Sequence, residues 1–113
     1  MKEVKTFECK IYVGHKEGYS GKLHFIDEVE NIVQEYCNKV GFGVTITPTK
    51  FIYKNGSEYG CIIGIINYPR FPETEDYLEQ CALQIAFLVK EKLNQLRVSI
   101  VGTNRTIMLG DDE

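Results

Sequence analysis

At 113 residues the chain is read as one domain, residues 1–113, long enough to bury roughly two-thirds of the surface that its unfolded form exposes. Its hydrophobic content of 43% and charged content of 26% are those of a globular protein and exclude the disordered class. A net charge of −3 argues against duplex DNA as a partner, because phosphate-driven binding draws on a basic excess; a small anionic ligand needs only a few local cations.

The segment "MKEVKTFECK" holds no apolar stretch long enough for a signal peptide, and no run elsewhere could cross a bilayer. A cytoplasmic protein without membrane attachment is expected. Cys9, Cys37, Cys61 and Cys81 lie about twenty or more residues apart, form no CxxC, and occupy apolar positions of strands or helices. They read as buried thiols, with no metal and no cofactor expected.

"TFECKIYVG" alternates, with Phe7, Cys9, Ile11 and Val13 on one face, which predicts a half-buried strand. The following "HKEGYSGKLHF" is rich in glycine and lysine, but lacks the spacing of a phosphate-binding P-loop or a dinucleotide fingerprint. It reads either as a turn-rich crossover or as a holder of an anion. From Phe25 the period changes: Ile26, Val29, Ile32, Val33, Tyr36, Cys37 and Val40 make one helical face, and Gly41 is placed to cap it.

"GVTITPTKFIYKNGSEYGCIIGIINY" predicts a long hairpin turning at Asn55-Gly56. Pro48 has no N–H for a ladder, so its strand belongs at an edge or carries a bulge. In the second hairpin strand Cys61, Ile63 and Ile65 lie on one face, Ile62 and Ile66 on the other. A second helix opens at Pro72 with Thr74 as its cap and buries Leu78, Cys81, Ile85, Leu88, Val89 and Leu96. "RVSIVG" is a strand, "RTIML" a short fifth one, and "GDDE" a frayed tail.

This order predicts an α+β fold: an antiparallel sheet with two helices on one face, in the split β-α-β (ferredoxin-like) order plus a short C-terminal strand. The uncovered sheet face stays partly apolar, so a homodimer or higher homo-oligomer is expected. The fold also sorts the loops. One end of the sheet gathers His15, Lys16, Tyr19, Ser20, Lys22, Lys54 and Arg97; the other gathers Asn67, Tyr68, Arg70, Phe71, Asn104 and Arg105. In "NYPRFP" two prolines stiffen the backbone around Arg70-Phe71, a cation beside an aromatic ring suited to stacking on a base. Against this, Phe71 could simply staple the helix start while Arg70 pairs with Glu73 or Glu75. His15 and His24, nine residues apart with no matching carboxylate pattern, make a poor metal site, and Glu58 near the hairpin tip reads as a solvated turn residue. No acid–base pair is spelled out.

"IYVGHKEGYSG", "VTITPTKFIYKNGSEYGCIIGIINYPRFP" and "RVSIVGTNRTIML" together resemble the phage Thoeris anti-defence nucleotide-sponge family. The resemblance implies a non-enzymatic binder that sequesters a cyclic ADP-ribose isomer or cyclic oligonucleotide in a pocket between protomers. It implies basic and stacking side chains there, for which Lys16, Arg70, Phe71 and Arg97 are the candidates; Tyr19, Asn104 and Arg105 complete the candidate site from the loop placement. Two other readings stay open. One is a small nucleotide-acting enzyme with His15 or His24 as base, the other a protein-binding inhibitor that uses the exposed sheet face.

Overall fold

The computed structural model describes residues 1–110; the end of the predicted tail, Asp111–Glu113, lies outside the described residues. Among the described residues the elements are β1 (Glu8–Gly14), α1 (Ile26–Val40), β2 (Thr45–Tyr53), β3 (Gly56–Ile66), α2 (Glu75–Lys92), β4 (Arg97–Val101) and β5 (Thr106–Gly110). The sheet order is β2-β3-β1-β4-β5 with every neighbouring pair antiparallel. This is the predicted split β-α-β arrangement, with β5 added beside β4.

Local chemistry explains the element ends. Glu28 reaches back so that its Oε2 accepts the Phe25 N–H at 2.7 Å, satisfying a donor that helix geometry leaves open at the start of α1. At the other end Gly41 takes φ 76°, a left-handed conformation that costs a residue with a Cβ, and its N–H donates to the Cys37 carbonyl at 2.8 Å. Thr74 caps α2, its Oγ1 accepting the Tyr77 N–H at 3.1 Å. Pro48 sits in β2 at the sheet edge, where its missing N–H breaks no ladder.

The core is one layer between sheet and helices. Cys9, Ile11 and Val13 of β1, Cys61, Ile63 and Ile65 of β3, and Val98 and Ile100 of β4 meet Val29 and Val33 of α1 and Leu78, Ile85 and Val89 of α2. Two local expectations are corrected. The two-residue hairpin loop is Lys54-Asn55, since Tyr53 pairs with Gly56 and Asn55 alone carries the positive φ of 62°. Leu96 lies beyond α2, which ends at Lys92, and the buried residue that closes the helix is Leu93.

The opposite sheet face carries Tyr12, Phe51, Ile62, Ile66, Val101 and Met108, and no helix covers it; Ile66, Val101 and Met108 are each about two-fifths exposed. Pairing of Gly14 with Gly60 and of Tyr12 with Ser99 brings the end of β1, the hairpin tip and the start of β4 together at one end of the sheet. At the far end Asn67 donates its N–H to the Phe7 carbonyl, and Thr103 Oγ1 accepts the Glu8 N–H.

Candidate functional site

The β1–α1 loop is neither an open crossover nor a bare cationic turn. It folds back on itself: Lys16 bridges Leu23, the Glu17 N–H donates to the Lys22 carbonyl at 2.9 Å, and the His24 N–H donates to the His15 carbonyl at 2.7 Å. The His15 N–H in turn donates to the Tyr59 carbonyl at 3.1 Å, which ties the loop to β3.

Folding the loop this way places His24 between two carboxylates. Its Nε2 lies 2.6 Å from Glu17 Oε2 and its Nδ1 lies 2.9 Å from Glu28 Oε1. Ser20 Oγ donates to Glu17 Oε1 at 2.7 Å, and Asn94 Nδ2 reaches Glu17 Oε2 at 3.4 Å. The hydrogen bond to Glu28, supported by the one to Glu17, raises the His24 pKa against the opposing effect of burial. The partners move the other way. Glu17 is held low by its bonds from Ser20 and His24, and Glu28 by His24 and the Phe25 N–H. With both ring nitrogens committed to carboxylates, His24 acts as a clamp between the loop and the start of α1. Glu17 and Glu28 thus serve His24 as hydrogen-bond partners.

His15 is the contrasting case. It is buried, and burial lowers its pKa despite the nearby Glu28 carboxylate. Its Nε2 has no hydrogen-bond partner, unlike every other buried side-chain nitrogen or oxygen among the described residues.

Beside this network, where the β2–β3 hairpin projects past the start of α1, lies a cavity of about 410 Å³. Leu23, Phe25, Ile26, Pro48 and Tyr59 give it an apolar wall; His15, Lys16, Thr49, Ser57 and Glu58 supply polar groups. Glu58 is half-buried rather than a solvated turn residue, and it also lines a second cavity of about 320 Å³ with Lys16, Tyr53 and Arg97. Gly60 lines the first of these. A Cβ there would meet the Val13 carbonyl oxygen and the Phe51 ring, so the strands approach this closely only because the side chain is missing.

The sequence-predicted residues divide between the two ends of the sheet. Lys16 and Arg97 share the 320 Å³ cavity, and exposed Tyr19 lines an adjoining one with Glu17 and Asn94. At the far end Phe71 lines a cavity of about 500 Å³ with Tyr68 and Tyr77, and the Arg70 guanidinium lies 5.4 Å from the Phe71 ring centroid. Asn104 Nδ2 donates to Glu75 Oε1 at 2.5 Å, and Arg105 pairs with Glu79. One chain brings Lys16 to Arg97 and Arg70 to Phe71, but not Lys16 to Phe71.

Sequence reasoning did not bring out Glu17 and Glu28 as partners of His24. The His24–Glu28 half had a signal, since four residues across a helix start place two side chains on one face. Cys9, Cys61 and Cys81 are buried and Cys37 is partly so; all four are free. Burial pushes the Cys9 and Cys61 thiols up to about 11, so neither is a nucleophile near neutral pH.

No protein family and no curated protein matches the sequence. Among solved structures the fold is similar to that of a phage SAM lyase in complex with S-methyl-5′-thioadenosine, with a TM-score of 0.77 and 14% identity over 99% of this chain and 95% of the other. A phage SAM lyase in the apo state is similar with a TM-score of 0.68 and 13% identity, covering 100% of this chain and 97% of that one. These likenesses establish the fold. They also correct the functional expectation: both of these similar structures are of a phage SAM lyase, one of them holding S-methyl-5′-thioadenosine, so the reading as a non-enzymatic sponge for cyclic ADP-ribose is withdrawn.

Proposed function

We propose that the protein is an enzyme that cleaves SAM, taking the adenosyl sulfonium at the hairpin-tip end of the sheet and releasing S-methyl-5′-thioadenosine. The observation that carries this reading is the fold likeness, over nearly the full length of both chains, to a phage SAM lyase holding that thioether. The site chemistry is compatible with it. An apolar wall of Phe25, Ile26, Pro48 and Tyr59 suits a nucleoside, and Glu58 is the acidic residue among those that line the cavity.

The reaction can be balanced without water. SAM sulfur bears a positive charge and bonds to methyl, to the adenosyl carbon and to the amino-acid side chain. When the last of these bonds breaks, both electrons stay on sulfur, and a neutral thioether leaves. The carbon left behind is satisfied from within the same fragment. Its own carboxylate closes a ring, or a neighbouring C–H gives up its proton to a base and a double bond forms. The ring-closing route annihilates a positive and a negative charge, so a site with an apolar wall favours its transition state over the charged ground state. The eliminating route needs a base, and Glu58 is the carboxylate lining the cavity.

Self-association through the uncovered sheet face belongs to the same reading. Ile66, Val101 and Met108 lie on that face with Tyr12 and Phe51, and a stable interface there would remove about 1,200 Å² or more in total. Light scattering that returns a monomer mass across micromolar concentrations would refute this part alone.

Incubation with SAM in ¹⁸O-labelled water, followed by mass spectrometry, tests the activity. S-Methyl-5′-thioadenosine should accumulate, and the carbon that carried sulfur should gain no ¹⁸O. Unchanged SAM refutes the reading; ¹⁸O on that carbon replaces a lyase with a hydrolase.

A further inference from the structure

At the far end of the sheet, the cavity of about 500 Å³ belongs to no part of the site described above. Phe42, Tyr68, Phe71 and Tyr77 line it, so four aromatic residues border one space. Phe71 is 69% exposed, and the Phe42 and Tyr77 rings meet edge-on with centroids 6.3 Å apart. The lining charge is of one sign: Glu73 is there, and no lysine, arginine or histidine is. Glu73 spends its backbone N–H on Asn67 Oδ1, while its carboxylate enters no ion pair among the described residues. Asn38 and Gly41 line the same cavity at the end of α1. The Gly41 and Phe42 N–H groups both donate to the Cys37 carbonyl, which leaves the later carbonyls at the negative end of the helix dipole. The chain already sets a cation on one of these rings. Arg70 pairs with neither Glu73 nor Glu75; its guanidinium lies 5.4 Å from the Phe71 centroid, and Glu75 is taken by Lys5 and Asn104.

We infer that this cavity binds a small quaternary ammonium ion, held by cation–π attraction to its aromatic walls, with Glu73 and the end of α1 supplying the countercharge. Such an ion is only weakly hydrated, and aromatic rings attract it most strongly where water is excluded. An anion would meet Glu73 and the negative end of the helix instead, and a neutral ligand would gain apolar contact alone. This site is separate from the SAM-cleaving one and does not depend on it.

The test titrates the wild-type protein with three probes and follows the ring-proton NMR signals of Phe71 and Tyr77. The probes are choline, the neutral alcohol in which carbon replaces the choline nitrogen, and AMP as a flat anion. Choline should move both sets of signals, and the neutral isostere should bind at least about twofold more weakly. Phe71→Leu keeps an apolar side chain but removes the ring, and should weaken choline binding roughly twofold to thirtyfold. Glu73→Gln should weaken it roughly twofold to fivefold, as for an exposed ion pair. Arg70→Ala, which removes the chain's own cation from the Phe71 ring, should strengthen it. The wild-type titrations decide the matter whatever the variants do. Equal binding of choline and its neutral isostere, tighter binding of AMP, or no choline binding below about 20 mM overturns the assignment.

Discussion

The two ends of this sheet carry similar residue types and put them to different use. At the far end the polar side chains are spent on the fold: Asn104 on Glu75, Arg105 on Glu79, and Asn67 Oδ1 on the Glu73 N–H. At the hairpin-tip end one cluster, Glu17–His24–Glu28, is spent in the same way, and it releases its neighbours from that duty. Glu58 and His15 both line the cavity beside it, and the buried His15 Nε2 has no hydrogen-bond partner. A functional site differs from a structural cluster less in composition than in what its polar atoms have left to bond.

If that contrast is right, substitutions at the two ends separate sharply. Glu58→Gln should lower SAM turnover by about 10- to 100-fold, the range expected for one charge-assisted hydrogen bond of ~1.5–3 kcal/mol. Phe71→Ala and Arg105→Ala, at the far end, should change it by less than about twofold. Steady-state assays on the three variants measure this, and an equal loss at both ends would erase the distinction.

Gly60→Ala probes the close strand approach at the cavity. Forcing a Cβ against the Val13 carbonyl and the Phe51 ring should destabilise by ~1–3 kcal/mol, as overpacking does, and should weaken thioether binding as well. Thr74→Ala at the far end removes a helix cap and should cost ~1 kcal/mol, read from the urea midpoint, with turnover unaffected. If Thr74→Ala moved turnover as Gly60→Ala does, stability alone would account for both.

The smallest effect is in the pH dependence of stability. A His24 pKa raised in the folded state means that folding holds the proton more tightly than the unfolded chain does. Its contribution is complete below the ordinary value of 6.5 and lost as pH rises through the raised value. Glu17 and Glu28, held below the ordinary 4.5, contribute above that value and lose their contribution as pH falls through their lowered ones. The clamp is therefore strongest between about pH 4.5 and 6.5. His15 opposes it within part of that window: with a lowered pKa it contributes above 6.5 and loses that contribution on acidification. Thermal melts from pH 6 to 8 should show a decline in wild type that His24→Gln flattens; a parallel decline in the variant would remove His24 as its source.

Much of the architecture was legible because it is written in local patterns. The two-residue alternation around Ile11 and Ile63, the helical period from Ile26 to Val40, Gly41, Thr74 and Pro48 each act within a few residues of themselves. The hairpin turn slipped by one residue because Asn55 and Gly56 both tolerate the required conformation, and the pairing of Tyr53 with Gly56 decides between them. The Glu17–His24 pair was not legible. Seven residues separate the two, and they meet only because the loop closes through Lys16 and Leu23. Lys16 and Arg97 were singled out for their charge, yet Glu58 and His15 stand out only once the burial and the cavity are known.

The central claim is that the hairpin-tip end receives the adenosyl ligand, and amide hydrogen exchange with and without saturating S-methyl-5′-thioadenosine tests it most directly. The account predicts slowed exchange in the segments 13–27 and 57–61 and no change in 68–73 or 102–106. Protection confined to the far end, or absent everywhere, would contradict it.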